Sequence, residues 1–143
     1  MFFATKQGVM EILRKLTLAA VLAFACLGLK AQGGSYDVFV PIAKYISQGD
    51  ADRLSAWFAD NLEISIQSKS VESSKTQARQ IMRTFFGTHT PQTFDITHTA
   101  SRSNVKYALG SLSTGGEVYM VTIFVSSDGR TYKIQQLKID KNR

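Results

Sequence analysis

Residues 118–125 read Val118-Tyr119-Met120-Val121-Thr122-Ile123-Phe124-Val125. Large apolar groups fill both the odd and the even positions, so an extended segment here is apolar on both faces. Such a strand belongs in the middle of a sheet, with cover on each side. Its borders are turns: Ser113-Thr114-Gly115-Gly116 before it and Ser127-Asp128-Gly129-Arg130 after it. Asp-Gly is a strong tight-turn signal, because both positions tolerate positive φ. Working outward, residues 92–100, 104–112, 117–126 and 131–139 all alternate with a period of two. Ser101-Arg102-Ser103 separates the first pair. Four strands joined by short turns make an antiparallel meander.

Upstream of Phe94 the period changes to that of helices. Val38, Phe39, Ile42, Tyr45 and Ile46 recur at helical spacing and predict a helix over 36–48, with Ser35 or Asp37 as its cap and Gly49 as its stop. Asp50 can cap a second helix whose apolar face is Ala51, Leu54, Trp57 and Phe58; the short Gly-Asp step folds the two back as an antiparallel pair. Leu62, Ile64 and Ile66 alternate with Glu63, Ser65 and Gln67, a half-buried strand over 62–67. A polar turn follows. Ser74 with Gln77 then fits a capping box, Ala78, Ile81, Met82, Phe85 and Phe86 form one stripe, and Gly87 supplies a stop.

The first 31 residues read as an export signal. Arg14 and Lys15 precede an uncharged run over 16–29, and small residues follow it. Fourteen residues span about 21 Å as a helix, short of the ~30 Å hydrocarbon core. Cleavage after Ala31 leaves residues 32–143 as one domain with Gln32 first. Lipid anchoring at Cys26 is the weaker reading, because Phe24 is bulky and Cys26 sits inside the apolar run. Met10 opens a compact start of its own.

The whole chain has 17 basic and 11 acidic side chains, a formal +6. Half of that excess lies in the leader, which carries Lys6, Arg14, Lys15 and Lys30 against Glu11. The remaining domain is only weakly basic, which argues against nucleic acid as a partner. One Cys and two His exclude a disulfide framework and leave no zinc motif.

The order helix-helix-strand-helix-strand-strand-strand-strand is that of the nuclear transport factor 2-like, cystatin-like α+β cone, with three N-terminal helices packed on a bent, mainly antiparallel sheet. More closely, the chain resembles the exported bacterial domain of unknown function family numbered 4783. The resemblance rests on Phe39-Val40-Pro41-Ile42-Ala43, Gly49-Asp50-Ala51-Asp52, Tyr107-Ala108-Leu109-Gly110-Ser111-Leu112 and Ile134-Gln135-Gln136-Leu137-Lys138-Ile139-Asp140. It covers residues 36–140 and implies the fold and export. It brings no catalytic residues, and fold alone does not assign a function.

Candidate chemistry is sparse. His98 alternates with Phe94 and Ile96 and is expected to point inward, where it could act as an acid or base with Tyr107 or Tyr119; Asp95 falls on the opposite face. His89 reads as a surface loop residue. There is no nucleophile elbow and no phosphate loop. Trp57, Phe58, His98, Tyr107 and Tyr119 are candidates to line an apolar ligand pocket in the cone. Lys75, Arg79 and Arg83 fall at i, i+4 and i+8 on one helix face and are candidate anion ligands. No cofactor and no metal are expected. The sequence favours an exported, periplasmic or extracellular binding domain for a small molecule or an envelope protein. The alternatives are an acid/base lyase or isomerase on a small hydrophobic substrate, or a dimeric assembly subunit joined through the outer sheet face.

Overall fold

The computed structural model describes residues 37–141. The leader reading, the Gln32 start and Cys26 therefore lie outside the described residues. Three helices and six strands follow one another as α1 (Phe39–Gln48), α2 (Ala51–Ser55), β1 (Phe58–Ile66), β2 (Lys69–Ser74), α3 (Lys75–Thr88), β3 (Pro91–Arg102), β4 (Val105–Thr114), β5 (Glu117–Ser127) and β6 (Tyr132–Lys141). The strands form one sheet in the order β2-β1-β6-β5-β4-β3. The meander β3-β4-β5-β6 is antiparallel throughout. β1 joins it through a parallel pairing with β6.

Gly49 and Asp50 make one corner. Gly49 takes φ 65°, ending α1 with its N–H donated to Ile46 O, and Asp50 Oδ1 then accepts the Arg53 N–H at 3.0 Å. The left-handed backbone is what makes Gly the fitting residue there. The expected second helix is cut short. Trp57 O accepts the Ile134 N–H at 2.6 Å, and Phe58 pairs with Ile134. The ladder to β6 thus captures the chain, and Phe58 opens a strand rather than closing a helix. Two helices precede the first strand and the third follows β2, so the helices are not a contiguous N-terminal set.

The polar stretch after Ile66 is strand β2, not a turn. Gln67 and Ser68 both take positive φ, 49° and 71°, which suits the right-handed twist of a two-residue hairpin. Neither residue is the usual Gly or Asn, so the hairpin has no sequence signature. β2 is a sheet edge, and its polar residues with Lys69 suit that place. Ser74 Oγ accepts the Gln77 N–H at 3.1 Å, as the cap reading requires. Gly87 does not end α3: the helix runs one residue further, and the Thr88 hydroxyl donates back to Thr84 O at 3.1 Å.

The inner face of the sheet carries the core. Ala108, Leu112, Val121, Ile123, Val125, Ile134, Leu137 and Ile139 pack against Ile42, Ile46, Leu54, Ala78 and Met82 from the helices. Burying each large aliphatic group contributes about 1.5–3 kcal/mol. Gly110 lies on this face with the Phe94 ring laid over its backbone. A Cβ added there would overlap the ring and come within 3.0 Å of Asp95 O. Gly110→Ala is therefore expected to cost about 1–3 kcal/mol, read as a lower midpoint in urea unfolding with unchanged slope.

Candidate functional site

A β-bulge decides where His98 goes. Ile96 pairs with Gly110 and His98 with Leu109, so Thr97 is an extra residue without a partner. One inserted residue reverses the alternation beyond it. His98 is exposed and shares its face with Leu109 and Thr122, not with Phe94. The inward placement expected from strict alternation is thus corrected. Tyr107 lies opposite Phe124 on the same outer face. Phe58 and Tyr119 go the other way, each only 1% exposed within the core, and Trp57 packs half-buried against it. The five candidate pocket residues do not converge. Phe58 and Tyr119, the two that do point inward, are packed in the core.

A network that the sequence reading missed joins the end of α3 to β5 and β6. The Tyr119 hydroxyl donates to Glu117 Oε2 at 2.5 Å, and Lys141 Nζ lies 3.1 Å from Glu117 Oε1. The His89 ring stacks on Phe85 with centroids 4.5 Å apart and meets the edge of Tyr119 at 5.5 Å. Its Nδ1 lies 2.8 Å from Thr88 Oγ1. His89 is therefore part of the packing at the end of α3 rather than a surface loop residue. Glu117 and Tyr119 are two apart on one strand, so they share a face; that period was the available signal. The hydrogen bond from Tyr119, reinforced by Lys141, holds the Glu117 carboxyl below its ordinary value. Burial, with the Glu117 carboxylate beside it, pushes the Tyr119 phenol up to about 12. Both oxygens of the carboxylate are occupied, so the network reads as a clasp rather than an open acid/base pair.

Two features lie along α3. An open depression of about 500 Å³ sits at the α1–α2 corner, lined in part by Gly49, Asp50, Asp52, Arg83 and Phe86. Arg83 Nε donates to Asp52 Oδ1 at 2.8 Å across it. Arg83, Arg79 and Lys75 follow one another by single turns, as their spacing predicts. They differ in partners. Among the described residues, Lys75 and Arg79 have no ion-pair partner. Arg79 Nε is buried with no hydrogen-bond acceptor, an arrangement that costs about 1–3 kcal/mol.

The outer sheet face is the third feature. On β5 Val118 and Met120 stand 38% and 37% exposed. Ser113 and Ser111 lie opposite them on β4; further along the same face Leu109 lies opposite Thr122 and Tyr107 opposite Phe124, all half-buried. Asp140 beside Met120, Lys138 beside Thr122, and Asp95 and Glu63 further out occupy the same face, so this apolar stripe is interleaved with polar and charged groups.

A six-stranded, mainly antiparallel sheet whose inner face is packed by helices defines an NTF2-like α+β protein. Residues 39–140 match the model of one family, the domain of unknown function DUF4783, and the chain belongs to that family. A crystallised DUF4783 family protein from Bacteroides uniformis is 26% identical, with a TM-score of 0.72 over 75% of this chain and 99% of that one. One from Bacteroides ovatus is 24% identical, with a TM-score of 0.70 over 73% and 94%. An NTF2-like protein of unknown function from Cytophaga hutchinsonii, 8% identical over 74% of this chain and 88% of that one, shares the fold at a TM-score of 0.55. Among curated proteins none matches this sequence.

The clasp makes stability depend on pH at both ends. Glu117 has a folded pKa below its unfolded one, so its contribution is present at neutral pH and lost as pH falls through the folded value. Tyr119 is raised, so the folded state is progressively penalised as pH rises from about 10, the ordinary tyrosine value, toward about 12. In urea titrations Glu117→Gln should be less stable than the parent at pH 7. The difference should narrow below about pH 4, where carboxylates protonate.

Proposed function

We propose that this is an exported, non-catalytic binding domain that works as a homodimer, each copy covering the other's outer sheet face, and that the dimer engages an envelope partner. The observation that carries the reading is the outer face of the central strand. Val118 and Met120 are apolar and over a third exposed; Ser113 and Ser111 lie opposite them on β4, and the half-buried Leu109, Tyr107 and Phe124 continue the same face further along. A strand apolar on both faces needs cover on both, and the helices cover only the inner one. Six strands about 4.8 Å apart and ten residues long present about 900 Å², and a standard interface takes ~800 Å² from each partner. Charges of both signs, Asp140 and Lys138 beside β5 among them, lie on the face and can pair across a two-fold axis. Binding inside the cone has less support, because Phe58 and Tyr119 are packed in the core. An acid/base lyase or isomerase also has less support: His98 and Tyr107 lie on the face opposite Tyr119.

Light scattering of the domain from Gln32 onward should give twice the chain mass. Met120→Lys, which places a charge at the centre of the stripe, should give the single mass with the fold retained by circular dichroism. A single mass for the unmodified domain would remove the dimer. Export rests on the basic start, the apolar run over 16–29 and the small residues after it. Intact-mass measurement of the protein from its own cells should show a chain beginning at Gln32. A lipid-bearing mass beginning at Cys26 would move the protein onto a membrane surface.

A further inference from the structure

We propose that the α3 face formed by Lys75, Arg79 and Arg83 is a binding track for a linear polyanion of the acidic-polysaccharide type. The three cations span nine residues of one helix, about 12 Å from first to last, at a repeat of about 6 Å. Arg79 is the central observation. Its side chain lies against the protein with Nε buried and unpaired. A guanidinium offers two parallel donors on its Nε edge, matched to two oxygens of a carboxylate or sulfate. Turning outward to meet such a group beside Lys75 would pair the donor that the resting side chain leaves empty.

Like charges one turn apart repel on a helix, and the chain compensates only one of the three. Asp52 holds Arg83, whereas Lys75 and Arg79 have no acidic partner among the described residues. Arg83 borders the open depression at the α1–α2 corner, whose Asp50 and Asp52 repel an anion, so the track ends at Arg83 and runs toward Lys75. Two uncompensated cations suit a chain with one charge per sugar. The far denser charge of nucleic acid calls for a larger patch. The site is separate from the outer sheet face. It rests on the export reading only for where such a polymer would be met, and the experiment reads binding directly.

The test is calorimetric titration of the domain with an oligomer of galacturonic acid at low salt, with sodium sulfate alone and a single-stranded oligothymidylate as comparison probes. The oligomer should bind with an affinity that falls as salt is raised. Arg79→Gln should weaken it about tenfold, the loss of one charge-assisted contact. Asp52→Asn should strengthen it by releasing Arg83; a purely structural role for the row would not produce that gain. Should Arg79→Gln fail to fold, Lys75→Gln is expected to weaken binding in the same sense. The proposal is overturned by no binding of the oligomer, by affinity unchanged in Arg79→Gln and Lys75→Gln, or by affinity unchanged or lowered in Asp52→Asn. Sulfate binding as tightly as the oligomer would also overturn it, leaving a single-ion site, as would tighter binding of the oligothymidylate.

Discussion

The parallel ladder between β1 and β6 is the constraint on which the rest of the fold depends. Ile134 donates to Trp57 O, Phe58 pairs with Ile134, and the pairing resumes from Glu63 opposite Gln136 to Ile66 opposite Ile139. Without it the β1–β2 hairpin would be a detached ribbon, and isolated hairpins are marginal in water. With it, the hairpin extends the four-stranded meander to six strands, and α3 gains both β1 and β2 to pack on. The ladder also sets the length of α2. The chain leaves the helix at Ala56 because residues 57 and 58 are taken by the last strand.

The same core buries Phe58 and Tyr119, two of the aromatic candidates to line a pocket. Tyr119 is the largest fully buried side chain, and its hydroxyl needs a partner. Glu117 provides one, and Lys141 neutralises the carboxylate from the end of β6. The two proposed contact surfaces, the outer face of β5 and the cationic side of α3, are both outward-facing. These lie on separate parts of the domain, so a dimer formed through the sheet leaves α3 available.

Much of the fold was legible in the sequence because the strands of the meander carry two independent signals, a period of two and turns built on Gly115-Gly116 and Asp128-Gly129. Three features were not legible. The β1–β2 turn places Gln67 and Ser68 at positive φ, which ordinary residues adopt only when tertiary pairing compensates the strain. The bulge at Thr97 reverses the faces beyond it, and nothing in Ile96-Thr97-His98 announces the extra residue. Phe58 satisfies a helical pattern as well as a strand, and the long-range pairing decides. For the candidate site, the row Lys75, Arg79 and Arg83 was readable because helical spacing alone groups it. The Asp52–Arg83 pair was not, since 31 residues separate its members.

The position of β6 in the chain has a kinetic consequence. Among the described elements the strand that seats β1 comes last in chain order, some seventy residues after β1. Until residues 132–141 are in place, β1 and β2 have no sheet to join, and β5 has only one neighbour. Loop-closure entropy must be met before this pairing returns anything, so assembly is slow and late. The β1–β2 hairpin therefore waits for the far end of the domain before its open edge is covered.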